Sequence, residues 1–193
     1  MSARGDKGAG RLRIISGCWR SRVLPVVDLP GLRPTTDRVR ETLFNWLQND
    51  LSGARCLDLF AGSGALGFEA ASRGAHSVVM LEVQPAARDV LKKNIQALQA
   101  DNIQLLNTDA ISWLKTKAVE KFDIVFLDPP FDSHYLPEVC LLLEQGEWLS
   151  ENAFIYMEMD ARDSLPELPN DWALLKDKKA GQVRYYLARR NAD

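Results

Sequence analysis

From residue 54 onward, the sequence alternates between strand patterns and helix patterns, and this alternation limits the fold more than any other feature. Apolar runs predict strands at 56–60, 77–82, 103–106, 122–127 and 154–159. Helical spacing of apolar residues predicts helices at 65–73, 85–99, 110–117 and 136–144. Strands separated by single helices build βαβ units with parallel strands. Patterns at 172–176 and 183–188, with a turn at 178–181, predict a closing hairpin that adds antiparallel strands to one edge.

The segment before residue 54 has a different organisation. Residues 1–10 are rich in glycine, serine and charge, and are expected to be disordered. Residues 11–27 alternate loosely between apolar and polar, which predicts a β-hairpin. Residues 29–34 form a proline-containing linker, after which Thr35 or Thr36 is expected to cap a helix. The chain is therefore divided into a basic arm with a hairpin, 1–32, and a main α/β domain, 33–193.

Size and composition narrow the functional classes. A chain of 193 residues fits one α/β domain with a small extension. Its three cysteines form no CxxC pair and only two histidines accompany them, so no metal site is expected. No apolar run reaches the roughly 20 residues that span a bilayer, and the polar N-terminus does not resemble a signal peptide. A cytoplasmic protein is expected.

The charge is distributed unevenly along the chain. Its formal net charge is only −2, but residues 1–40 contain nine Lys and Arg residues and three acids, whereas the rest contains 15 and 23. A basic arm on an acidic body is typical of a protein that meets a polyanion at one end. A solvated tail without a partner is the alternative.

A glycine-rich turn follows the first strand of the α/β pattern. Gly62, Gly64 and Gly67 have the spacing G-x-G-x-x-G, and Glu82 ends the next strand 20 positions after Gly62. Glycines permit a sharp turn and a close approach of a ligand to the backbone. An acid at the position of Glu82 can accept hydrogen bonds from ribose hydroxyls. The pattern predicts a nucleoside-containing cofactor, and a tight turn without a ligand is the alternative.

Two aspartates indicate which nucleoside this is. Asp58 places a negative charge near the turn, where it would repel a pyrophosphate but attract the sulfonium and ammonium groups of S-adenosylmethionine. Asp109 follows the strand 103–106 and can accept a hydrogen bond from the adenine amino group. It is also a typical N-cap for the helix 110–117, and both roles are compatible.

The tetrapeptide Asp128-Pro129-Pro130-Phe131 follows the strand 122–127. In an open α/β sheet this position faces the ligand crevice. The Asp128 carboxylate and the Pro129 carbonyl can accept the two hydrogens of an exocyclic base amine, and Phe131 can stack on the base. The motif predicts methyl transfer to the nitrogen of an everted base. His134 and Tyr135 follow, either in the site or on a surface helix.

These motifs resemble those of the class I S-adenosylmethionine-dependent methyltransferases, whose amino-directed members carry [DN]-P-P-[FYW]. The chain is most similar to the RsmD-type bacterial 16S ribosomal RNA guanine-N2 methyltransferases. The similarity rests on the Arg-Pro-Thr-Thr-Asp-Arg-Val-Arg-Glu-Thr-Leu-Phe segment at 33–44, the Asp-Leu-Phe-Ala-Gly-Ser-Gly loop at 58–64, and Asp-Pro-Pro-Phe at 128–131. It implies a Rossmann-like, seven-stranded, mostly parallel sheet with helices on both faces, and methylation of the guanine at position 966.

The resemblance also implies roles for individual residues. Asp128, Pro129, Pro130 and Phe131 would form the catalytic site. The cofactor would be held by Asp58, Phe60, Gly62, Ser63, Gly64, Glu82, Val83, Asp109 and Ala110. RNA would meet Arg11, Arg13, Arg20, Arg22, Arg33, Arg38 and Arg40. The partner would be 16S RNA within a small-subunit particle, and the protein is expected to be a monomer.

Other functions remain open from the sequence. An adenine-N6 methyltransferase is the nearest, because the tetrapeptide does not separate guanine from adenine. A glutamine-N5 protein methyltransferase usually has Asn in place of Asp128. A nicotinamide-dependent oxidoreductase and a non-catalytic RNA-binding module belong to other classes.

Overall fold

A computed structural model of the chain describes residues 10–27, 36–130 and 135–191. The predicted linker, Arg33, Phe131 and His134 lie outside the described residues, as does most of the segment 1–10. Thr36 caps the first helix, since its side chain accepts a hydrogen bond from the Val39 N–H. The strands and helices alternate from residue 55 onward as the sequence predicts.

The elements have the following bounds. The strands are β1 (Gly10–Arg13), β2 (Val23–Val26), β3 (Arg55–Asp58), β4 (Ser77–Leu81), β5 (Ile103–Leu106), β6 (Phe122–Leu127), β7 (Leu149–Asp160), β8 (Trp172–Ala180) and β9 (Val183–Arg190). The helices are α1 (Asp37–Trp46), α2 (Ala65–Ser72), α3 (Pro85–Leu98), α4 (Ala110–Leu114) and α5 (Leu136–Gln145).

The main sheet has seven strands in the order β5-β4-β3-β6-β7-β9-β8. The strands β5, β4, β3, β6 and β7 pair in parallel, whereas β9 is antiparallel to both β7 and β8. The chain order reverses between β3 and β6, where a ligand crevice is expected in a doubly wound sheet. The predicted seven-stranded, mostly parallel sheet with an antiparallel edge is confirmed.

Two apolar cores cover the two faces of this sheet. One contains residues of α1, α2 and α3 together with Cys56, Ile124 and Phe126 of the sheet. The other contains residues of α4 and α5 together with Leu57, Val125 and Leu127. Successive residues of a strand point to opposite faces. Because helices cover both faces of the sheet, these strands are apolar throughout.

The strands β1 and β2 form a separate two-stranded sheet, which confirms the predicted N-terminal hairpin. Its inward residues Leu12, Leu24 and Val26 join the core on the side of α1, α2 and α3. The side chain of Asn94 in α3 donates a hydrogen bond to the Pro25 carbonyl. The hairpin is therefore packed on the helices of one face.

Three predicted bounds differ from the structure by three or more residues, each because of non-local pairing or a local cap. The strand predicted at 154–159 begins at Leu149, which pairs with Phe122 before the register shifts to Ile124 and Phe154. The helix predicted to reach residue 117 ends at Leu114, and the Thr116 hydroxyl donates to the Trp113 carbonyl just beyond it.

The third correction concerns the last hairpin, whose turn was predicted at 178–181. Lys178 and Lys179 instead pair with β9, so β8 continues to Ala180. The connection consists of Gly181 and Gln182, with Gly181 at a φ of +61°. Two-residue hairpin loops require such positive φ values, which glycine adopts without strain. None of the helices in the described part of the chain is both long and apolar enough to cross a membrane.

Candidate active site

The predicted site residues gather at one edge of the sheet. Asp58 ends β3, Glu82 follows β4, and Asp109 precedes α4 after β5. Asp128 follows β6, which pairs directly with β3. Because these strands are parallel neighbours, their carboxyl ends line one crevice. The topology thus brings together residues that are up to 70 positions apart in the chain.

The glycine turn between β3 and α2 has a backbone that only glycine fits well. Gly62 and Gly64 have φ values of +50° and +78°. A Cβ on Gly64 would lie 2.5 Å from the Phe68 ring and 2.7 Å from a Leu91 methyl. A larger residue would therefore strain the backbone and displace the packing beneath the turn.

Backbone N–H groups of the turn and of the first turn of α2 are already bonded within the protein. The Gly62 N–H donates to Glu82 Oε2 at 2.8 Å, and the Gly64 N–H donates to the Ala61 carbonyl at 2.6 Å. The Gly67 N–H donates to Asp58 Oδ2 at 3.2 Å. A phosphate-binding turn must leave such groups for the anion. Here the carboxylates of Glu82 and Asp58 accept from the Gly62 and Gly67 N–H groups, as a phosphate would. The turn therefore suits a cofactor without phosphate, such as S-adenosylmethionine.

Asp58 lies beneath the turn, not beside an open pocket. Its side chain is only 2% exposed, and its carboxyl accepts hydrogen bonds from the backbone of Gly67 and Phe60. Burial, and to a lesser extent the charge of Glu82, raises the pKa of Asp58 to about 7. The expectation of direct contact with a sulfonium or ammonium group does not fit this burial. Asp58 holds the turn in shape.

Glu82 follows β4 and Asp109 follows β5, so both carboxylates lie at the edge of the sheet that forms the crevice. Glu82 is 9% exposed, and its second oxygen accepts from the Gln84 N–H at 2.7 Å. Asp109 is exposed and caps α4, where its Oδ1 accepts from the Ser112 N–H at 2.8 Å. The cap role that the sequence allowed for Asp109 is thus present. Each oxygen has a second lone pair, so these bonds do not prevent either residue from binding a nucleoside.

The other residues predicted to bind the cofactor lie in or beside the same loops. Ser63 is half-buried in the turn, Val83 is 48% exposed after β4, and Ala110 is the buried first residue of α4. The Phe60 ring stacks on the Tyr135 ring, with centroids 6.0 Å apart and planes within 6° of parallel. This contact joins the glycine turn to the start of α5.

The described part of the tetrapeptide, Asp128–Pro130, directly follows β6, whose parallel neighbour is β7. Asp128 is half-buried, Pro129 is buried and Pro130 is exposed. Neither proline has an N–H, so the backbone here offers only acceptors. Beside it opens a cleft of about 390 Å³, lined by Pro129, Pro130, Tyr135, Leu136, Glu158, Met159 and Arg162 among others. Small-molecule sites have this order of size.

Glu158 and Arg162 of this cleft had no predicted site role. Glu158 is 3% exposed near the end of β7. The Tyr156 hydroxyl donates to Glu158 Oε2 at 2.8 Å. An acid inside the apolar run Tyr-Met-Glu-Met at 156–159 was the available signal.

Most of the arginines predicted to meet RNA lie on the surface. Arg11, Arg13, Arg20 and Arg22 are exposed on the hairpin, and Arg38 is exposed on α1. Arg22 donates a hydrogen bond to the Ala97 carbonyl at 3.1 Å, so it also joins the hairpin to α3. Their outward position is compatible with contact to a polyanion.

Arg40 is a correction to that set. It is 0% exposed and donates to the Arg13 carbonyl at 2.8 Å and to Asp37 Oδ1 at 2.6 Å. Its guanidinium also lies 3.6 Å from Glu69 Oε2. A buried guanidinium engaged in this way cannot reach a phosphate, so Arg40 ties the hairpin to α1 and α2.

Comparison with known proteins gives consistent results over nearly the whole chain. The family model described as Conserved hypothetical protein 95 matches residues 12–189. Ribosomal RNA small subunit methyltransferase D of Escherichia coli K12 is 49% identical over 100% of this chain and 96% of its own. The enzyme of the same name in Haemophilus influenzae is 46% identical over 92% of this chain and 93% of its own. The solved structure "Putative methyltransferase yhhF" from Escherichia coli has a TM-score of 0.89 at 47% identity, covering 95% of this chain and 100% of that one.

Proposed function

The chain belongs to the RsmD family of ribosomal RNA methyltransferases, and on this basis we propose that it methylates the exocyclic N2 amine of one guanine in 16S ribosomal RNA. It is an S-adenosylmethionine-dependent methyltransferase acting on ribosomal RNA. The guanine that the family resemblance implies is the one at position 966. We further propose that the substrate is a small-subunit particle and that the enzyme acts as a monomer.

One observation carries the proposal for the site. The acceptor-rich segment Asp128-Pro129-Pro130 follows β6, directly beside the glycine turn that follows β3. Just before these two segments, the Leu59 N–H donates a hydrogen bond to the Phe126 carbonyl of β6. A base amine held by the first segment therefore lies next to a cofactor held by the second.

The cofactor fits the residues of the turn. Glu82 offers carboxylate oxygens to ribose hydroxyls, Asp109 offers one to the adenine amine, and Gly62 and Gly64 leave room along the backbone. When bound, S-adenosylmethionine supplies an electrophilic methyl group on a sulfonium. The acidic, phosphate-free surroundings of the turn favour this cofactor over a nicotinamide dinucleotide, which needs the N–H groups that Glu82 and Asp58 occupy.

At the acceptor side, the protein's task is to orient a weak nucleophile. The lone pair of an aromatic amine is delocalised into the ring. The Asp128 carboxylate and the Pro129 carbonyl would accept its two N–H hydrogens and so favour a tetrahedral nitrogen. Positive charge that develops on this nitrogen is stabilised by the same acceptors. Asp128 can then receive the proton that the nitrogen releases, and much of the rate comes from fixed orientation.

The base must leave its helix or loop to reach this site. Phe131, which lies outside the described residues, is proposed to stack on it. The exposed arginines of the hairpin would hold the RNA backbone, because phosphate contacts position a nucleic acid without reading its sequence.

The test is transfer of a labelled methyl group to unmodified 16S RNA and to small-subunit particles. We expect N2-methylguanosine at a single position, and faster transfer to particles than to free RNA. Mass spectrometry of the nucleosides would contradict the guanine assignment if it identified N6-methyladenosine. Sedimentation of the free enzyme as a dimer would contradict the monomer.

Asp128→Asn tests the site itself. The substitution keeps the size but replaces one acceptor oxygen and the charge, so we expect transfer to fall by about 10²–10³-fold. Affinity for S-adenosylhomocysteine, measured by calorimetry, should stay within about twofold, since Asp128 faces the base. Asp171→Asn, at an exposed position before β8, is the matched control. Normal turnover of the Asp128 variant would remove this residue from the mechanism.

A further inference from the structure

Glu158 is a second carboxylate near the end of the strand next to the one that Asp128 follows. Glu158 belongs to β7, the parallel neighbour of β6, and the register pairs Leu127 with Met157. The next positions along the two strands are Asp128 and Glu158. Glu158 lines the same cleft as Pro129 and Pro130, although its side chain is only 3% exposed.

The Tyr156 hydroxyl fixes the orientation of Glu158. It donates a hydrogen bond to Oε2 at 2.8 Å, and both groups are buried. Burial raises the pKa of Tyr156 well above its usual value, and the charges of Glu158 and Asp128 raise it further. Tyr156 therefore stays protonated and remains a donor. The influence of both acids on this one hydroxyl agrees with their adjacent positions on neighbouring strands.

Two adjacent carboxylates impose a requirement on the ligand edge that faces them. An ionised carboxylate accepts hydrogen bonds and cannot donate them. A base edge that meets Asp128 and Glu158 as carboxylates must therefore present donors side by side. Guanine does so, because its N1–H is adjacent to the N2 amine. Adenine does not, since the position next to its N6 amine is N1, a lone-pair acceptor.

We propose that Glu158 determines the specificity for guanine by accepting a hydrogen bond from N1–H while Asp128 and the Pro129 carbonyl hold the N2 amine. This inference rests on the proposed function. It names the residue by which the enzyme would select guanine over a base whose edge resembles that of adenine. A base with a lone pair at N1 offers no N–H at this position, so the Glu158 carboxylate has no donor from which to accept a hydrogen bond. Sites built to bond a particular N–H reject analogues lacking it by factors of up to about 10⁴–10⁵.

The experiment uses 2-aminopurine, which keeps the 2-amine of guanine but has a lone pair at N1 and no O6. Small-subunit particles are assembled from 16S RNA with guanine or 2-aminopurine at the nucleotide mapped for the wild-type enzyme. Methyl transfer to each is measured with the full-length wild type, Glu158→Gln and Glu144→Gln. Glu144 is the control, because it is another hydrogen-bonded acid, bonded to Trp172 and Arg190, at the far end of α5.

We expect the wild type and Glu144→Gln to prefer guanine by about 100-fold or more. Glu158→Gln presents an amide N–H to N1, so its preference should fall at least about tenfold, with faster transfer to 2-aminopurine than the wild type achieves. Loss of O6 affects all three enzymes alike, so this change in ratio reports on N1. A merely structural role for Glu158 would slow transfer to both bases and leave the ratio unchanged.

Two results would overturn the inference. One is equal transfer by the wild type to both bases, a measurement that needs no variant and is unaffected if Glu158→Gln folds poorly. The other is a folded Glu158→Gln enzyme with the wild-type ratio. In both cases guanine methylation by the wild type would leave the proposed function intact, whereas absence of N2-methylguanosine would remove the proposed function itself.

Discussion

Asp58 and Asp128 stand at the ends of neighbouring strands, yet the fold gives them different environments. Asp58 is 2% exposed and bonded to the backbone of the glycine turn. Asp128 is half-buried and precedes Pro129 and Pro130, which line the cleft. The same side chain therefore serves as a structural support at β3 and as a proposed substrate ligand after β6. Burial and position along the crevice make the difference, since the chemistry of the two groups is identical.

The first prediction concerns the pH dependence of stability that Asp58 causes. Its pKa is about 7 in the folded protein, against an ordinary value near 3.8. The folded state thus binds a proton that the unfolded state has released, and stability falls as pH rises from about 4 to 7. The fall amounts to about 4 kcal/mol, because one pKa unit corresponds to about 1.4 kcal/mol.

Asp58→Asn should remove most of this fall, since an amide does not titrate. Urea unfolding of the cofactor-free protein at several pH values measures it, with Asp101→Asn at an exposed position as the control. A slope that persists in the Asp58 variant would assign the proton to another group.

The second prediction concerns Glu82. Glu82→Ala removes the partner of the Gly62 and Gln84 N–H groups as well as the proposed ribose acceptor. Each such loss costs about 1–3 kcal/mol, so affinity for S-adenosylhomocysteine should fall about 10–100-fold in calorimetry. Asp89→Ala, at an exposed position on α3, should change little. Equal affinities would exclude Glu82 from cofactor binding.

At the level of elements, the attachment of the hairpin to α2 depends on a few polar contacts. Glu69 of α2 accepts hydrogen bonds from the Ile15 and Ser16 N–H groups at 2.9 and 3.0 Å. It also pairs with Arg73 at 2.7 Å and lies near the buried Arg40. Gly17 fits because a Cβ there would lie 1.9 Å from the Ser72 carbonyl oxygen. The hairpin is thus held in one position on the helix.

The third prediction tests this attachment. Glu69→Ala leaves the buried Arg40 guanidinium without its nearby carboxylate on α2, and it also removes the side-chain oxygens that accept from the Ile15 and Ser16 N–H groups. Breaking a buried ion pair in this way costs about 3–5 kcal/mol, which chemical denaturation would detect. Glu41→Ala, on the exposed face of α1, should cost less than about 0.5 kcal/mol. A loss below about 1 kcal/mol in the Glu69 variant would mean that the network contributes little.

For the whole molecule, the main feature is the separation of charge. The exposed arginines of the hairpin lie on the side of α2 and α3, while the rest of the chain carries an excess of acids. In the proposed function, this charge pattern would attract a polyanionic RNA to the basic end and so orient it before any base is recognised.

The fourth prediction is a reduced salt dependence of RNA binding when Arg11, Arg13, Arg20 and Arg22 are changed to Gln. Each lost phosphate contact lowers the slope of log affinity against log salt by about 0.7–0.9, so four contacts would lower it by about 3. Lys117→Gln with Lys121→Gln, at exposed positions around α4 and β6, is the control and should leave the slope nearly unchanged. An unaltered slope in the arginine variant would show that the hairpin does not meet the RNA backbone.

The sequence alone determined the order of strands and helices, the N-terminal hairpin, the glycine turn and the placement of Asp128 after a strand. These features depend on periodicity and on residues close together in the chain, so local patterns contain the necessary information. Strand bounds failed where pairing decided them, as at Leu149 and Ala180.

Only the tertiary structure decided which charged residues face the solvent, the core or the cleft. Arg40 has the same local context as Arg38 in a basic segment, but packing against α2 and the hairpin buries it. Glu158 is one acid in a strand until the parallel pairing of β6 with β7 brings it level with Asp128, one position beyond the Leu127–Met157 pair. The environment of such residues is set by partners that are distant in sequence, and no local pattern identifies those partners.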